Sequence, residues 1–261
     1  MSEKMDFQEI EYAGFRSWPA FDESEADGVV LRYSHGHTKR ANSANVILHQ
    51  KGDYVSLVSR CEEYFEDKGL IPIFRLPTYC NNERLDGYLQ GMGYRLMDRS
   101  LILSRSLERS LEGSSFDGPG FIVKNSHEWM ESYCQISETD ISSHEAHLEI
   151  LKRIKDKVLM AVLVEDEVEI ACGIGVISNG YFGLFDLATE KSVRNLGYGT
   201  KLLNAMLGWA KTNGATKAYL QVVADNQPAI SLYKKLGYQP CYEYWYRIGD
   251  RANKVMHETS A

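Results

Sequence analysis

Two stretches of the chain, "GLIPIFRLPTYCNNERLDGYLQGMGYRLMDRSLILS" and "ATKAYLQVVADNQPAISLYKKLGYQPCYEYWYRIG", follow one plan, and that recurrence restricts the fold more than any other feature. With Gly93-Tyr94 laid on Gly237-Tyr238, a strand, a polar turn, a short helix, Gly-Tyr and a second strand recur in the same order, and Asn82 falls opposite Asn226. A supersecondary unit repeated at an offset of 144 residues reads as an internal duplication. At 261 residues the chain is long enough for two such copies, each with a modest core. The stretch "LERSLEGSSFDGPG" between them collects Ser, Gly, Pro and charge, the composition of a connection. The expected organisation is a first domain over 1–110, a linker over 111–119 and a second domain over 120–261.

The second copy is the more legible. "VLMAVLVEDEVEIACGIGVIS" predicts a hairpin, with two β-rich runs around the turn-forming EDE, and "YFGLFDLAT" predicts a third strand. Leu203, Met206, Leu207 and Ala210 recur at helical spacing, which predicts a helix from about Thr200 to Thr212 ended by Gly214. "TKAYLQVVA" predicts a strand. "DNQPAISLYKKLGY" predicts a helix capped by Asn226 or Gln227, with Pro228 in its first turn, Lys234 and Lys235 at its C-terminal dipole and Gly237 beyond. A last strand covers "CYEYWYRI", and "NSHEWMESYCQ" and "SSHEAHLEILKRIKDK" predict two earlier helices. The fold class is α/β of the α+β kind, a mixed and mostly antiparallel sheet flanked by helices.

Between the third strand and its helix stands "VRNLGYGTKLL", with glycines at 197 and 199. A helix N-terminus has unpaired amides and a partial positive charge, and glycines let the loop before it turn several amides inward. Such a loop suits a phosphate; a tight turn without ligand is the alternative. A Walker A loop needs GxxxxGK[ST], which is missing, and the dinucleotide fingerprint needs a third glycine where Leu202 stands.

"RNLGYG" matches the pattern R/Q-x-x-G-x-G/A, and "LATEKSVRNLGYGTKLL" is followed by "VVADNQPAISLYKKLGY" at a fixed spacing. Together they resemble the acetyl-CoA-binding core of the GNAT superfamily of N-acetyltransferases. The resemblance covers roughly 120–248, with the first half as a degenerate copy, so it implies two tandem GNAT-like domains. It implies that Arg194 and the amides of Asn195, Leu196, Gly197, Tyr198, Gly199 and Thr200 hold the coenzyme A pyrophosphate. It also implies that Leu187, Ala188 and Thr189 bond the pantetheine arm as if it were an added strand. Asn226 is a helix cap and, by resemblance, a coenzyme ligand. Tyr233 stands at the family's position for the proton donor to the leaving thiolate; a phenol of pKa ~10 keeps its proton at neutral pH.

An amine must be neutral to attack a thioester, and Asp186, at the end of "YFGLFD", is the candidate base. It could equally cap a turn or bind the ammonium group without taking its proton. Glu138 and Glu145 are weaker candidates. His144 and His147 lie three apart on a helix without an evident third ligand, so no metal is expected. The histidines at 35, 37 and 127 read as ordinary surface or strand residues, and "HTKR" as a solvated hairpin turn or a local anion contact. The first copy lacks both devices: "ILHQKGD" replaces the glycine loop, and Leu89 stands where Tyr233 does.

A net charge of -7 disfavours nucleic acid and anionic membrane as partners. The polar, acidic start "MSEKMDFQEI" is unlike a signal peptide, and the default compartment is cytoplasmic. Five cysteines without a CxxC pair read as reduced thiols. The expected activity is acetyl transfer from acetyl-CoA to a primary amine, on a small molecule or a protein, with the only working site in the second copy. The alternative is a coenzyme A-binding regulatory module without chemistry.

Overall fold

A computed structural model describes residues 2–50, 52–108 and 120–250. The expected linker over 111–119 lies outside the described residues. The first half runs α1 (Ser2–Ser17), β1 (Asp22–Ala26), β2 (Val29–Tyr33), β3 (Ala44–Val46), α2 (Tyr54–Glu66), β4 (Ile73–Pro77), α3 (Glu83–Gly91) and β5 (Arg95–Ser106). The second runs β6 (Phe121–Val123), α4 (Ser126–Ser137), α5 (Glu145–Lys152), β7 (Lys157–Glu165), β8 (Val168–Ser178) and β9 (Tyr181–Thr189). It ends with α6 (Tyr198–Thr212), β10 (Lys217–Val223), α7 (Gln227–Lys235) and β11 (Gln239–Ile248).

All these strands share one sheet, in the order β1-β2-β3-β4-β11-β5-β10-β9-β8-β7-β6. Pairing is antiparallel except at β3 with β4 and β9 with β10, so each half repeats the same parallel junction. The last strand of each half is exchanged. β11 inserts between β4 and β5, while β5 inserts between β11 and β10 with Lys217 opposite Ser106 and Val223 opposite Ser100. Strands of the two halves therefore alternate at the centre of the sheet.

Period-two alternation sends the side chains of the second half into two cores. On one face Phe182, Leu184, Ala218 and Leu220 pack under α6 and α7, which contribute Leu203, Met206, Leu207 and Ile230. On the other, Ile174, Phe185, Tyr219 and Tyr244 pack under α1, α4 and α5. Burying each of these large side chains stabilises the fold by roughly 1.5–3 kcal/mol. A third core joins β2, β3 and β4 to α2 and α3 through Leu31, Val46, Phe74, Leu57 and Leu89.

Local chemistry sets the helix ends. Asn125 and Glu128 form a capping box at the start of α4, and the Asn226 side chain accepts from the Ala229 amide at 3.2 Å to start α7. α5 is shorter than "SSHEAHLEILKRIKDK" suggests, because it ends at Lys152 and β7 claims the chain from Lys157. The helix α1 has no counterpart in the sequence reading. It buries Ile10 and Ala13, and it crosses onto second-half strands: Lys217 reaches Asp6 at 2.7 Å, and Arg16 Nε donates to Ser178 Oγ at 2.6 Å. The cysteines are free thiols, buried except for the half-buried Cys241.

Candidate active site

The site begins with an irregularity in β9. Cys172 of β8 opposes Ala188 and Ile174 opposes Phe185, so β9 carries one extra residue across this interval. Asp186 adopts φ 47, left-handed, within that bulge. Strict alternation would send Phe185 and Asp186 to opposite faces; the bulge lets both reach the α5 face. There the carboxylate Oδ2 of Asp186 lies 2.9 Å from Nε2 of His147. Leu187 next turns onto Gly173, where an added Cβ would come within 2.6 Å of Leu187 Cδ2 and force that side chain to shift.

The same stretch opens one edge of the strand. Parallel pairing of β9 with β10 runs from Tyr181 opposite Lys217 to Leu184 opposite Leu220 and stops, while β10 continues alongside β5 alone. The backbone of Leu187, Ala188 and Thr189 therefore presents an edge with no strand partner on the β10 side among the described residues, able to receive an extended ligand.

The loop after β9 completes this end. Arg194 Nε donates to the Thr189 carbonyl at 3.0 Å and ties the loop to the strand. Asn195 at φ 63 and Gly197 at φ 91 are both left-handed, and α6 starts directly after with no side-chain cap. The first helical bond runs from the Lys201 amide to the Gly197 carbonyl at 2.9 Å, and the amides of Asn195 to Thr200 donate to no acceptor among the described residues. Nothing lies within 4 Å of a Cβ position on Gly197, and Gly199 faces Thr189 Oγ1 at 3.4 Å. A bare row of amides on a helix dipole fits a phosphate group, and the open strand edge beside it fits the amide-bearing arm that coenzyme A attaches to its pyrophosphate.

Tyr233, half-buried on α7, meets the ring edge of Tyr238 at 5.9 Å, and burial raises its phenol pKa. Asn226 is exposed and its side-chain oxygen is engaged in capping α7.

Around Asp186 the first half enters the site. His147 is 3% exposed, with Nδ1 3.4 Å from Nδ1 of His144, whose Nε2 lies 3.0 Å from Thr139 Oγ1. His37 stacks on His147 with ring centroids 5.2 Å apart. Burial, followed by the charge of His147, holds the His37 pKa down to about 4; the same two causes lower that of His144. Trp18 stacks on Phe185 at 5.6 Å and lies 5.1 Å from His147. The Arg40 guanidinium sits 5.4 Å from the ring centres of both Trp18 and Phe185. The segment "HTKR" is thus no freely solvated turn and His37 no ordinary surface residue, because Asn42 gathers this loop by accepting from the amides of Ser34 and Gly36. His35 and His127 are exposed, as are Glu145 and Glu138, which pairs with Lys191. No signal in "YSHGHTKR" itself announces the contact, since His147 and Phe185 lie more than a hundred positions away. Among the described residues no cluster of three metal-ligating side chains occurs, and no helix is long and apolar enough to cross a membrane.

The family model described as "Probable histone acetyltransferase Rv0428c C-terminal" matches residues 5–247. The uncharacterized N-acetyltransferase YobR of Bacillus subtilis is 29% identical over 248 residues, 93% of this chain and 98% of that protein. N-alpha-acetyltransferase 30 of Schizosaccharomyces pombe is 27% identical over 151 residues, 52% of this chain and 97% of that one. Among solved structures, a GCN5-related N-acetyltransferase from Kribbella flavida has TM-score 0.68 at 18% identity, covering 94% of this chain and 95% of that one. A tandem GNAT protein from the clavulanic acid biosynthesis pathway, without AcCoA, has TM-score 0.62 at 13% identity, covering 92% and 88%. At these identities the structures carry the fold.

Proposed function

The chain belongs to the family described as "Probable histone acetyltransferase Rv0428c C-terminal" and is a GNAT N-acetyltransferase, and on that premise we propose that it acetylates a primary amine from acetyl-CoA at one site in its second half. The observation that carries this reading is the junction of three features on one strand: the unpartnered amides after β9, the open edge of β9, and the Asp186 bulge at its inner end.

Acetyl-CoA supplies an activated acyl carbon: the amine nitrogen bonds to it, the carbon–sulfur bond breaks and the sulfur leaves as thiolate. Asn195 to Thr200 hold the pyrophosphate through their amides. Leu187, Ala188 and Thr189 align the pantetheine arm through their main chain, which fixes its depth without constraining its side chains. Asp186 accepts the proton that the amine nitrogen sheds, and His147 orients the carboxylate. Tyr233, kept protonated by burial, gives its proton to the departing sulfur.

The names of the relatives point to protein amines, an N-terminal α-amine in one case and histones in another. Tyr233→Phe tests the reading and separates it from a coenzyme A-binding module without chemistry. The ring and its packing stay, so acetyl-CoA affinity should persist while kcat falls roughly 10²-fold or more. Unchanged turnover would reduce Tyr233 to a packing residue.

A further inference from the structure

Resting on the acetyl-transfer reading above, we propose that the acceptor amine carries a carboxylate within a few bonds of its nitrogen, and that Arg40, delivered by the first half of the chain, holds that carboxylate. Three buried arginines have carboxylate partners: Arg32 meets Glu23 at 2.8 Å, Arg75 meets Glu11 at 2.5 Å and Arg247 meets Asp86 at 2.7 Å. Arg40 pairs with none among the described residues, and its guanidinium lies over the faces of Trp18 and Phe185. Its Nε–H is buried and lacks a hydrogen-bond partner. The Trp18 indole N–H, on a residue 1% exposed, and Nε2 of His37 are likewise buried and unpartnered.

Arg40 and Trp18 both lie against Phe185, His37 stacks on the His147 that neighbours Trp18, and the arginine and indole N–H groups are obligate donors. Buried donors left unmet cost stability, and a site that collects them calls for an acceptor-only group. A carboxylate is that group, and an arginine is its strongest partner. The charges nearby sharpen the match. Asp186 follows Phe185 in β9 and the bulge turns both to the α5 face, so cation and anion attend neighbouring residues of one strand, as the two ends of a molecule bearing ammonium and carboxylate require. Lys39 is committed to Asp98 at 2.7 Å, and His37 and His144 are neutral near pH 7, their pKa values lowered by burial. Position is fixed from behind: Arg32 Nη1 holds the Arg40 carbonyl at 2.9 Å while its Nη2 holds the carbonyls of Phe15 and Trp18.

The test follows thiol release from acetyl-CoA with matched acceptors, free L-amino acids against their decarboxylated amines, and with peptides bearing an N-terminal Asp or Glu against the same peptides with Asn or Gln. The two sets distinguish a free amino acid from an acidic chain terminus. In the wild-type protein the carboxylate member of at least one set should have kcat/KM about tenfold or more above its mate. Arg40→Met should raise KM for that member by a similar factor, with kcat, the matched amine and acetyl-CoA affinity little changed, and Arg40→Lys should restore part of the loss. Equal kcat/KM within every pair, or no release from any carboxylate-bearing amine in a protein that binds acetyl-CoA, overturns the proposal. Failure to bind acetyl-CoA in calorimetry would instead strike the acetyl-transfer reading itself.

Discussion

The two copies start the helix that follows their parallel-paired strand, α2 after β3 and α6 after β9, in opposite ways. Before α2 the Asp53 side chain accepts from the Ser56 amide at 3.0 Å, and the Tyr54 amide bonds to the Gly52 carbonyl at 2.9 Å. Before α6 stands Gly197, which offers no cap, and the amides of Asn195 to Thr200 meet no acceptor among the described residues. An aspartate at an N-cap satisfies the helix dipole from within and leaves a negative charge where an anion would dock; a glycine leaves that work to a ligand. The same topology thus makes a structural corner in one half and, on the proposed reading, an anion site in the other. The rest of each copy agrees with its corner. β3 is three residues long, whereas β9 is nine and carries the Asp186 bulge; Leu89 is 0% exposed in an apolar core, whereas Tyr233 is half-buried.

The change expected to disturb this comparison most is Asp186→Asn, which keeps shape and removes the base. Its kcat should fall by about 10²–10⁴ with acetyl-CoA affinity retained, since general base catalysis commonly contributes that much. A loss confined to KM would assign Asp186 to binding the ammonium group. Gly199→Val comes next: a branched side chain beside Thr189 Oγ1 narrows the row of amides, and acetyl-CoA affinity measured by calorimetry should drop about tenfold or more. The mirror change in the first copy, Asp53→Ser, should leave that affinity untouched. Leu89→Tyr asks whether the first copy lacks only a phenol. Overpacking a closed core should cost about 1–3 kcal/mol in denaturant unfolding and bring no activity.

The order of elements in the second half was readable because each depends on neighbours in sequence: a helical stripe at Leu203, Met206 and Leu207, a cap at Asn226, a terminator at Gly237. The glycine loop before α6 was readable for the same reason. Three features were hidden. The exchange of β5 and β11 depends on pairings such as Tyr244 with Ser100, far apart in the chain. The bulge at Asp186 depends on a register that β8 imposes. The third is the delivery of Trp18, His37 and Arg40 to the site, which requires α1 to lie across β8 and β9. Its polar, acidic start gave little sign of the face that carries Ile10 and Ala13.

A smaller effect should appear in stability against pH. The His37 pKa in the folded state is about 4, below the 6.5 of an unperturbed imidazole, so the unfolded chain takes up the proton first. Stability should be complete above about pH 6.5 and decline as pH falls toward 4. His37→Gln should flatten that decline in thermal melts, and an unchanged slope would locate the acid sensitivity in other groups.

The central claim is that one corner of the duplicated fold binds the coenzyme and the other does not. Calorimetric titration of the full chain with acetyl-CoA tests it without dividing the shared sheet. One equivalent per chain, abolished or strongly weakened by Gly199→Val, is the predicted result. Two equivalents, with the second surviving Gly199→Val, would contradict it and place a working pocket in the first copy.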